Sequence, residues 1–160
     1  MLNIQPNHSI LEIGCGTGLL AEEICNRLPG GKFVGIDRSA AMIEKAMKRN
    51  HASIETAKAS FLMSEFKDVT VPKSSFHTIA AFNVNFFWQD PTAELQIIRS
   101  ALKPAGTLFV FYQSPFEIDA SAAEPIKQQL LKHSFEIISI DVNKLKPTSA
   151  FCITTKPAHR

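Results

Sequence analysis

Short apolar runs alternate along the chain with stretches whose apolar positions recur every three to four residues, and this alternation predicts a parallel sheet with helices on both faces. Ser9 to Ile13 reads as a first strand. Behind it, Leu20, Ile24 and Leu28 mark a helix from about Leu19 to Leu28, which Pro29, Gly30 and Gly31 end. Lys32 to Asp37 is a second strand, and Ser39 caps a helix that runs to about Asn50 and buries Ile43 and Met47 or their neighbours. A third strand is expected at Ser60 to Glu65, then a loop from Asp68 to Ser75 and a fourth strand from Phe76 to Phe82. Asp90 caps a helix that Pro91 opens, with Leu95, Ile98 and Leu102 on one face, and Lys103-Pro104-Ala105-Gly106 stops it. Thr107 to Tyr112 is the fifth strand. A helix opened by Pro125 ends near His133. Two further runs, Phe135 to Val142 and Ala150 to Thr155, lie close enough through Asn143 to Ser149 to form an antiparallel hairpin. The expected fold is therefore a doubly wound α/β sheet of seven strands, mostly parallel, in one domain over residues 1–160.

Composition narrows the partners. With 17 basic and 15 acidic residues the formal net charge is +2, which gives no support for a nucleic-acid or anionic-membrane partner. No apolar run approaches the roughly 20 residues that cross a bilayer. Cys15, Cys25 and Cys152 are odd in number and show no CxxC spacing, and the first residues have neither a basic nor an apolar leader region, so a reduced, cytoplasmic setting is expected. The His and Cys spacings match no zinc pattern, and no metal is expected.

The chemistry concentrates in ILEIGCGTGLL, residues 10–20, where Gly14, Gly16 and Gly18 alternate directly behind the first strand. A dinucleotide fingerprint requires G-x-G-x-x-G, and here the third glycine comes one residue early. Glycines still allow a backbone to approach a ligand closely, and the following helix presents free N–H groups to an anionic group, carboxylate or phosphate. Asp37 ends the second strand roughly 20 residues on, where an acid can accept bonds from two ribose hydroxyls. Glu12 adds negative charge beside the loop; it repels pyrophosphate and favours an ammonium. Loop and acids together suit an adenosine cofactor with a zwitterionic end better than NAD. The plainer reading is a tight turn with an ordinary capping acid.

At these residues the chain resembles a class I S-adenosylmethionine-dependent methyltransferase, closest to the small-molecule group that includes the ubiquinone and menaquinone C-methyltransferases. ILEIGCGTGLL with FVGIDRSAAMIEKA carries the likeness most strongly, and SSFHTIAAFNVNFFWQDPTAELQIIRSALKPAGTLFV resembles the family's segment around the fourth strand, the next helix and the fifth strand. The resemblance implies a Rossmann-like fold and S-adenosyl-L-methionine as cofactor. It implies that Glu12, Gly14, Cys15, Gly16 and Gly18 surround the methionine end, that Asp37 with Arg38 holds the ribose, that Glu65 and Phe66 meet the adenine, and that Asn83 borders the cofactor. The chain departs from the family pattern at His77, at Ala105 and at Glu65, where the family has Asp, Gly and Asp. The family also carries a helix before the first strand that closes over the cofactor, and Met1 to His8 is too short and polar for one. The expectation is a site partly open on that side, or covered by a second copy or a partner subunit.

In open α/β sheets ligands lie beyond the carboxyl ends of the strands, so His8, His51, His77 and His133 fall at the wrong edge for a general base, and His159 lies in the tail. Asn83 and Asn85 after the fourth strand, with Tyr112 and Gln113 after the fifth, are placed on the acceptor side. Phe86 and Trp88 either wall a dry pocket there or pack the next helix. The stretch N-V-N-F-F-W lacks the two prolines of an N-P-P-aromatic amine-methylating signature. Methyl transfer from a sulfonium needs alignment and exclusion of water more than covalent help; where the acceptor is an acidic carbon, phenol or thiol, solvent, Tyr112 or an asparagine-held water can take its proton. Two other classes compete with an enzyme acting on a small-molecule acceptor: a non-catalytic cofactor-binding module or partner subunit, and a nicotinamide-dependent oxidoreductase.

Overall fold

The computed structural model describes residues 4–145 and 148–158. His159, Met1 to Asn3 and the centre of the final hairpin turn therefore lie outside the described residues. The strands are β1 (Ser9–Ile13), β2 (Lys32–Asp37), β3 (Ala59–Met63), β4 (Phe76–Phe82), β5 (Leu102–Ser114), β6 (Phe135–Leu145) and β7 (Thr148–Pro157). They form one sheet in the order β3-β2-β1-β4-β5-β7-β6. Pairing is parallel from β3 to β5, and β7 runs antiparallel to both β5 and β6. The helices are α1 (Leu19–Cys25), α2 (Ala40–Arg49), α3 (His51–Glu55), α4 (Thr92–Ala101) and α5 (Glu124–Lys132).

Alternating residues of β1 divide the core. Ile10 joins Phe33 and Ala59 under Ala21, Ile24 and Leu28 of the α1 side. Its neighbour Leu11 faces the other way, into the larger cluster that Leu95 and Ile98 of α4 and Ile126 and Leu130 of α5 complete. Both faces of the central strands are thus covered, which is why those strands read as near-continuous apolar runs.

Several boundaries differ from the pattern-based reading. The first helix ends at Cys25, and Leu28 reaches the core from a tighter turn in which the Arg27 and Leu28 N–H groups donate to the Ile24 and Cys25 carbonyls. In α2 the buried pair is Ile43 and Ala46, and Met47 is 46% exposed. A close approach of the glycine loop, described below, leaves room only for alanine there. Strand β3 stops at Met63 because its partner β2 stops at Asp37, the last paired residue, and Glu65 lies beyond the sheet. Leu102 leaves the helix to begin β5, whose register with β4 shifts between Phe76 and Thr78 to absorb the Lys103–Gly106 segment. The hairpin strands extend to Leu145 and from Thr148, so most of the expected connection is paired.

Candidate functional site

The parallel order reverses at β1, which has β2 on one side and β4 on the other, and a cavity of about 380 Å³ opens beyond the carboxyl ends of these strands. Ile13 and Gly14 line it from β1, and Ile36, Asp37 and Arg38 from β2. Ser64, Glu65, Phe66 and Lys67 follow β3, Phe82 ends β4 and Asn83 to Phe86 follow it, and Gln89 and Glu94 complete the wall.

The glycine loop is bound to the end of β2. The N–H groups of Gly14 and Cys15 both donate to the Ile36 carbonyl, at 2.8 and 3.0 Å. Asp37 fixes the next turn: its Oδ2 accepts from the Gly16 N–H and its Oδ1 from the Ser39 N–H, each at 2.9 Å. Gly14 has φ +75°, and a side chain there would begin 2.8 Å from Val84 Cγ1. Gly16, also at positive φ, would meet nothing within 4 Å, so the loop presents bare backbone to open space at that point. Gly18 has a different duty. A Cβ on it would stand 2.6 Å from Asn50 Nδ2 and 2.9 Å from Ala46 Cβ, and Asn50, 3% exposed, donates from that nitrogen to the carbonyls of Gly18 and Ala46. The loop is thereby locked onto α2. Asn50 was legible in the sequence only as a helix stop.

Glu12 is 4% exposed, and its Oε2 has no hydrogen-bond partner. Burial, with the nearby Asp37 charge, pushes its carboxyl up to about 8. Cys15 is buried in the loop, and burial together with Glu12 and Asp37 raises its thiol to about 12, so it is a neutral filler and not a nucleophile.

On the opposite wall Phe66 is buried and stacks on Phe86, ring centroids 6.4 Å apart. Arg38 reaches across the rim to Glu65, Nη1 to Oε1 3.8 Å, with both side chains more than half exposed. Asn83 takes a left-handed conformation, φ +50°, and its Oδ1 accepts the Gln113 N–H at 2.8 Å, tying the ends of β4 and β5 together. Asn85 lies on the cavity wall. Tyr112 does not: its ring packs between Trp88, 5.3 Å away, and Phe151, 5.4 Å away. Phe86 thus walls the pocket while Trp88 packs outside it. Gln89 and Glu94 escaped the sequence reading, because neither apolar periodicity nor a motif marks which polar side chains of a loop and of the first turn of α4 border a cavity.

None of the described histidines lines the cavity. His77 Nδ1 accepts the Ser9 N–H at 3.0 Å and stacks on His8, centroids 4.4 Å apart, at the amino edge of the sheet. The backbone of Pro6 and His8 pairs there with Gly30 and Lys32, so among the described residues the segment before β1 does not cover the cavity. No group of metal-ligating side chains occurs among the described residues, and none of their helices is long and apolar enough to cross a membrane.

Residues 10–106 match the family model for a methyltransferase domain. The chain is 29% identical over 161 residues to the uncharacterized methyltransferase YdaC of Bacillus subtilis (strain 168), covering 97% of this chain and 86% of YdaC. It is 28% identical over 125 residues to a malonyl-[acyl-carrier protein] O-methyltransferase of Priestia megaterium; the match covers 76% of this chain and only 43% of that longer relative. Among solved structures, a SAM-dependent methyltransferase from Aquifex aeolicus superposes with a TM-score of 0.76 at 16% identity, over 96% of this chain and 84% of that one.

Proposed function

The chain belongs to the methyltransferase domain family as a class I S-adenosylmethionine-dependent member, and on that premise we propose that it methylates a small-molecule acceptor by in-line displacement in the cavity beyond β1, β2 and β4. The observation that carries this reading is the placement of Gly14, the anchored Asp37 carboxylate, Glu65 and Phe66 around one opening, with the glycine loop held to Asp37 through the Gly16 N–H. These groups fit a nucleoside with an amino-acid end. Bound there, S-adenosylmethionine supplies a methyl group on a sulfonium, which leaves without covalent help from the protein.

The side chains then divide the work. Each oxygen of Asp37 accepts one backbone N–H and retains capacity to accept from a ribose hydroxyl. Ile36 and Phe66 offer apolar surface to a flat base, with Glu65 at its polar edge and Arg38 held near by the Glu65 pair. The loop from Gly14 to Gly18 receives the amino-acid end, its carboxylate on free N–H groups at the start of α1 and its ammonium towards Glu12. Asn83 has its carbonyl engaged by Gln113, which leaves its amide N–H groups to donate. Asn85, Gln89 and Glu94 orient the acceptor from the far wall, and Tyr112 supports Trp88 behind them. The Priestia megaterium relative is an O-methyltransferase of malonyl-[acyl-carrier protein]. By analogy an oxygen nucleophile on a small acyl group is the first acceptor class to screen.

Parallel calorimetric titration with S-adenosylmethionine, S-adenosylhomocysteine and NAD tests the cofactor assignment. Micromolar binding of the first two and none of NAD is expected; binding of NAD alone, or of none, overturns it. Incubation with methyl-labelled cofactor and acyl, phenolic and amine acceptors then tests turnover.

A further inference from the structure

An open sheet has two edges, and a bare edge invites pairing with another chain unless charges, prolines or bulges guard it. The strand order leaves β6 at one end of this sheet and β3 at the other, each unpaired on its outer side among the described residues. The β6 edge is guarded. Its register with β7 shifts at Ile138, between Ile137 and Ser139, and Glu136 and Asp141 are exposed along it. An antiparallel copy of β6 would set acid beside acid. Strand β3 has no such defence. Ala59 to Met63 keeps an unbroken register with β2, contains no charge and no proline, and leaves Leu62 46% and Met63 56% exposed.

The bonds already made by β3 show which of its backbone groups remain. The Phe33 N–H donates to the Lys58 carbonyl at 2.8 Å, and the Ser64 N–H donates to the Asp37 carbonyl at 3.0 Å. Backbone groups alternate in direction along a strand, so Lys58, Ser60, Leu62 and Ser64 face β2, while Ala59, Phe61 and Met63 turn their N–H and C=O groups outward. An antiparallel copy centred on Phe61 matches this outward set with itself. Phe61 of one copy faces Phe61 of the other, Ala59 faces Met63, and each facing pair exchanges both of its N–H···O bonds. Charge selects the same direction. The uncharged residues 59–64 lie between Lys58 and Glu65, so reversal brings Lys58 of one copy near Glu65 of the other at both ends, whereas a parallel copy sets like beside like. A net charge of only +2 leaves little repulsion between two whole chains.

We propose that β3 pairs antiparallel with β3 of a second copy, about a two-fold axis at Phe61, and joins the two sheets into one. Five residues from each copy make a small seam, so the association is weak and depends on concentration. The seam ends beside the cavity, because Glu65 lies on its wall.

Sedimentation velocity of the 160-residue chain from about 5 µM to about 500 µM tests this. The wild type should pass from monomer towards dimer and no further, because two-fold pairing occupies both β3 edges. Leu62→Lys sets two like charges close together across the axis at an exposed position, and it should move the transition to at least tenfold higher concentration. Ile138→Lys alters a similarly exposed apolar residue on the β6 edge, 55% exposed, and should leave the transition in place. Ser60→Cys combined with Leu62→Cys puts a cysteine of each copy opposite one of the other, in the closer facing pairs that make no hydrogen bond. Mild oxidation should then link the dimer, and reduction should release it. A wild type that stays monomeric at about 500 µM, or grows past the dimer, overturns the proposal. So does a dimer that Leu62→Lys leaves intact, or one that the cysteine pair does not link.

Discussion

Asp37 acts on two sides at once. Towards the cavity it offers lone pairs to a ribose, and towards the chain it fixes the Gly16 and Ser39 N–H groups. Asp37→Ala removes both functions, and it is expected to weaken S-adenosylhomocysteine binding by at least tenfold, roughly 1.4 kcal/mol, while also lowering the urea midpoint. Asp37→Asn keeps one acceptor oxygen and should retain part of each. Calorimetry beside urea unfolding checks the pair; undiminished affinity in a folded Asp37→Ala protein removes this residue from the site. Cys15 gives the opposite expectation. Its thiol is buried and neutral, so it should resist an aromatic disulfide reagent at about pH 8 in the folded protein and react once unfolded. Fast modification in the native state would show that the loop opens. These residues were legible because a glycine run and an acid at the next strand end are local signals. That Gln89 and Glu94 border the cavity depends on where the end of the loop after β4 and the start of α4 lie in space, which no local signal carries.

At the level of elements, the three glycines that look alike in sequence separate into different tasks. Gly16 faces open space, whereas Gly18, at φ +73°, sits where α1 begins and touches α2 through Ala46 and Asn50. Gly18→Ala brings a strained backbone together with a Cβ too close to three atoms, so a loss of roughly 3 kcal/mol is expected. Gly16→Ala, which meets no atom, should lose only the backbone part, about 1–2 kcal/mol. Chemical denaturation of the two variants distinguishes them; equal losses would mean the loop can lift off α2. The same contact explains why, of Met47 and its neighbours, Ala46 is the one that α2 buries. An apolar period of 3.6 identifies the buried face, but it cannot say that a neighbouring loop comes so near that Ala46 fits and Met47 must turn outward. Strand ends were mislaid for a related reason. The end of β3 is set by where β2 stops, and the start of β5 by a register shift against β4, both properties of a partner strand.

For the whole molecule, doubly wound topology was readable because apolar runs and amphipathic stretches alternate from end to end, and the hairpin order followed from a short connection. What the alternation could not show is that the sheet carries two titrating groups of opposite effect at its two edges. At the amino edge the Ser9 N–H donates to His77 Nδ1, and burial, with Lys103 and His8, holds that imidazole below its usual value. A depressed histidine favours the folded state while neutral, so its contribution is present above about pH 6.5 and is lost as pH falls through the folded value. At the carboxyl edge Glu12 is raised from 4.5 to about 8. The folded state there binds a proton that the unfolded chain has already lost, so stability is fullest at the acidic end of this interval and declines as pH climbs towards 8, at most about 1.4 kcal/mol per pH unit. Above about pH 6.5 the histidine is neutral in both states and the Glu12 slope stands alone. The ligand-free protein should therefore lose stability from about pH 6.5 to about pH 8, and Glu12→Gln should flatten that decline. Urea unfolding of both proteins at four pH values measures the two curves. A ligand-free stability that rises across this interval would place the Glu12 carboxylate in contact with a donor or cation in the folded protein.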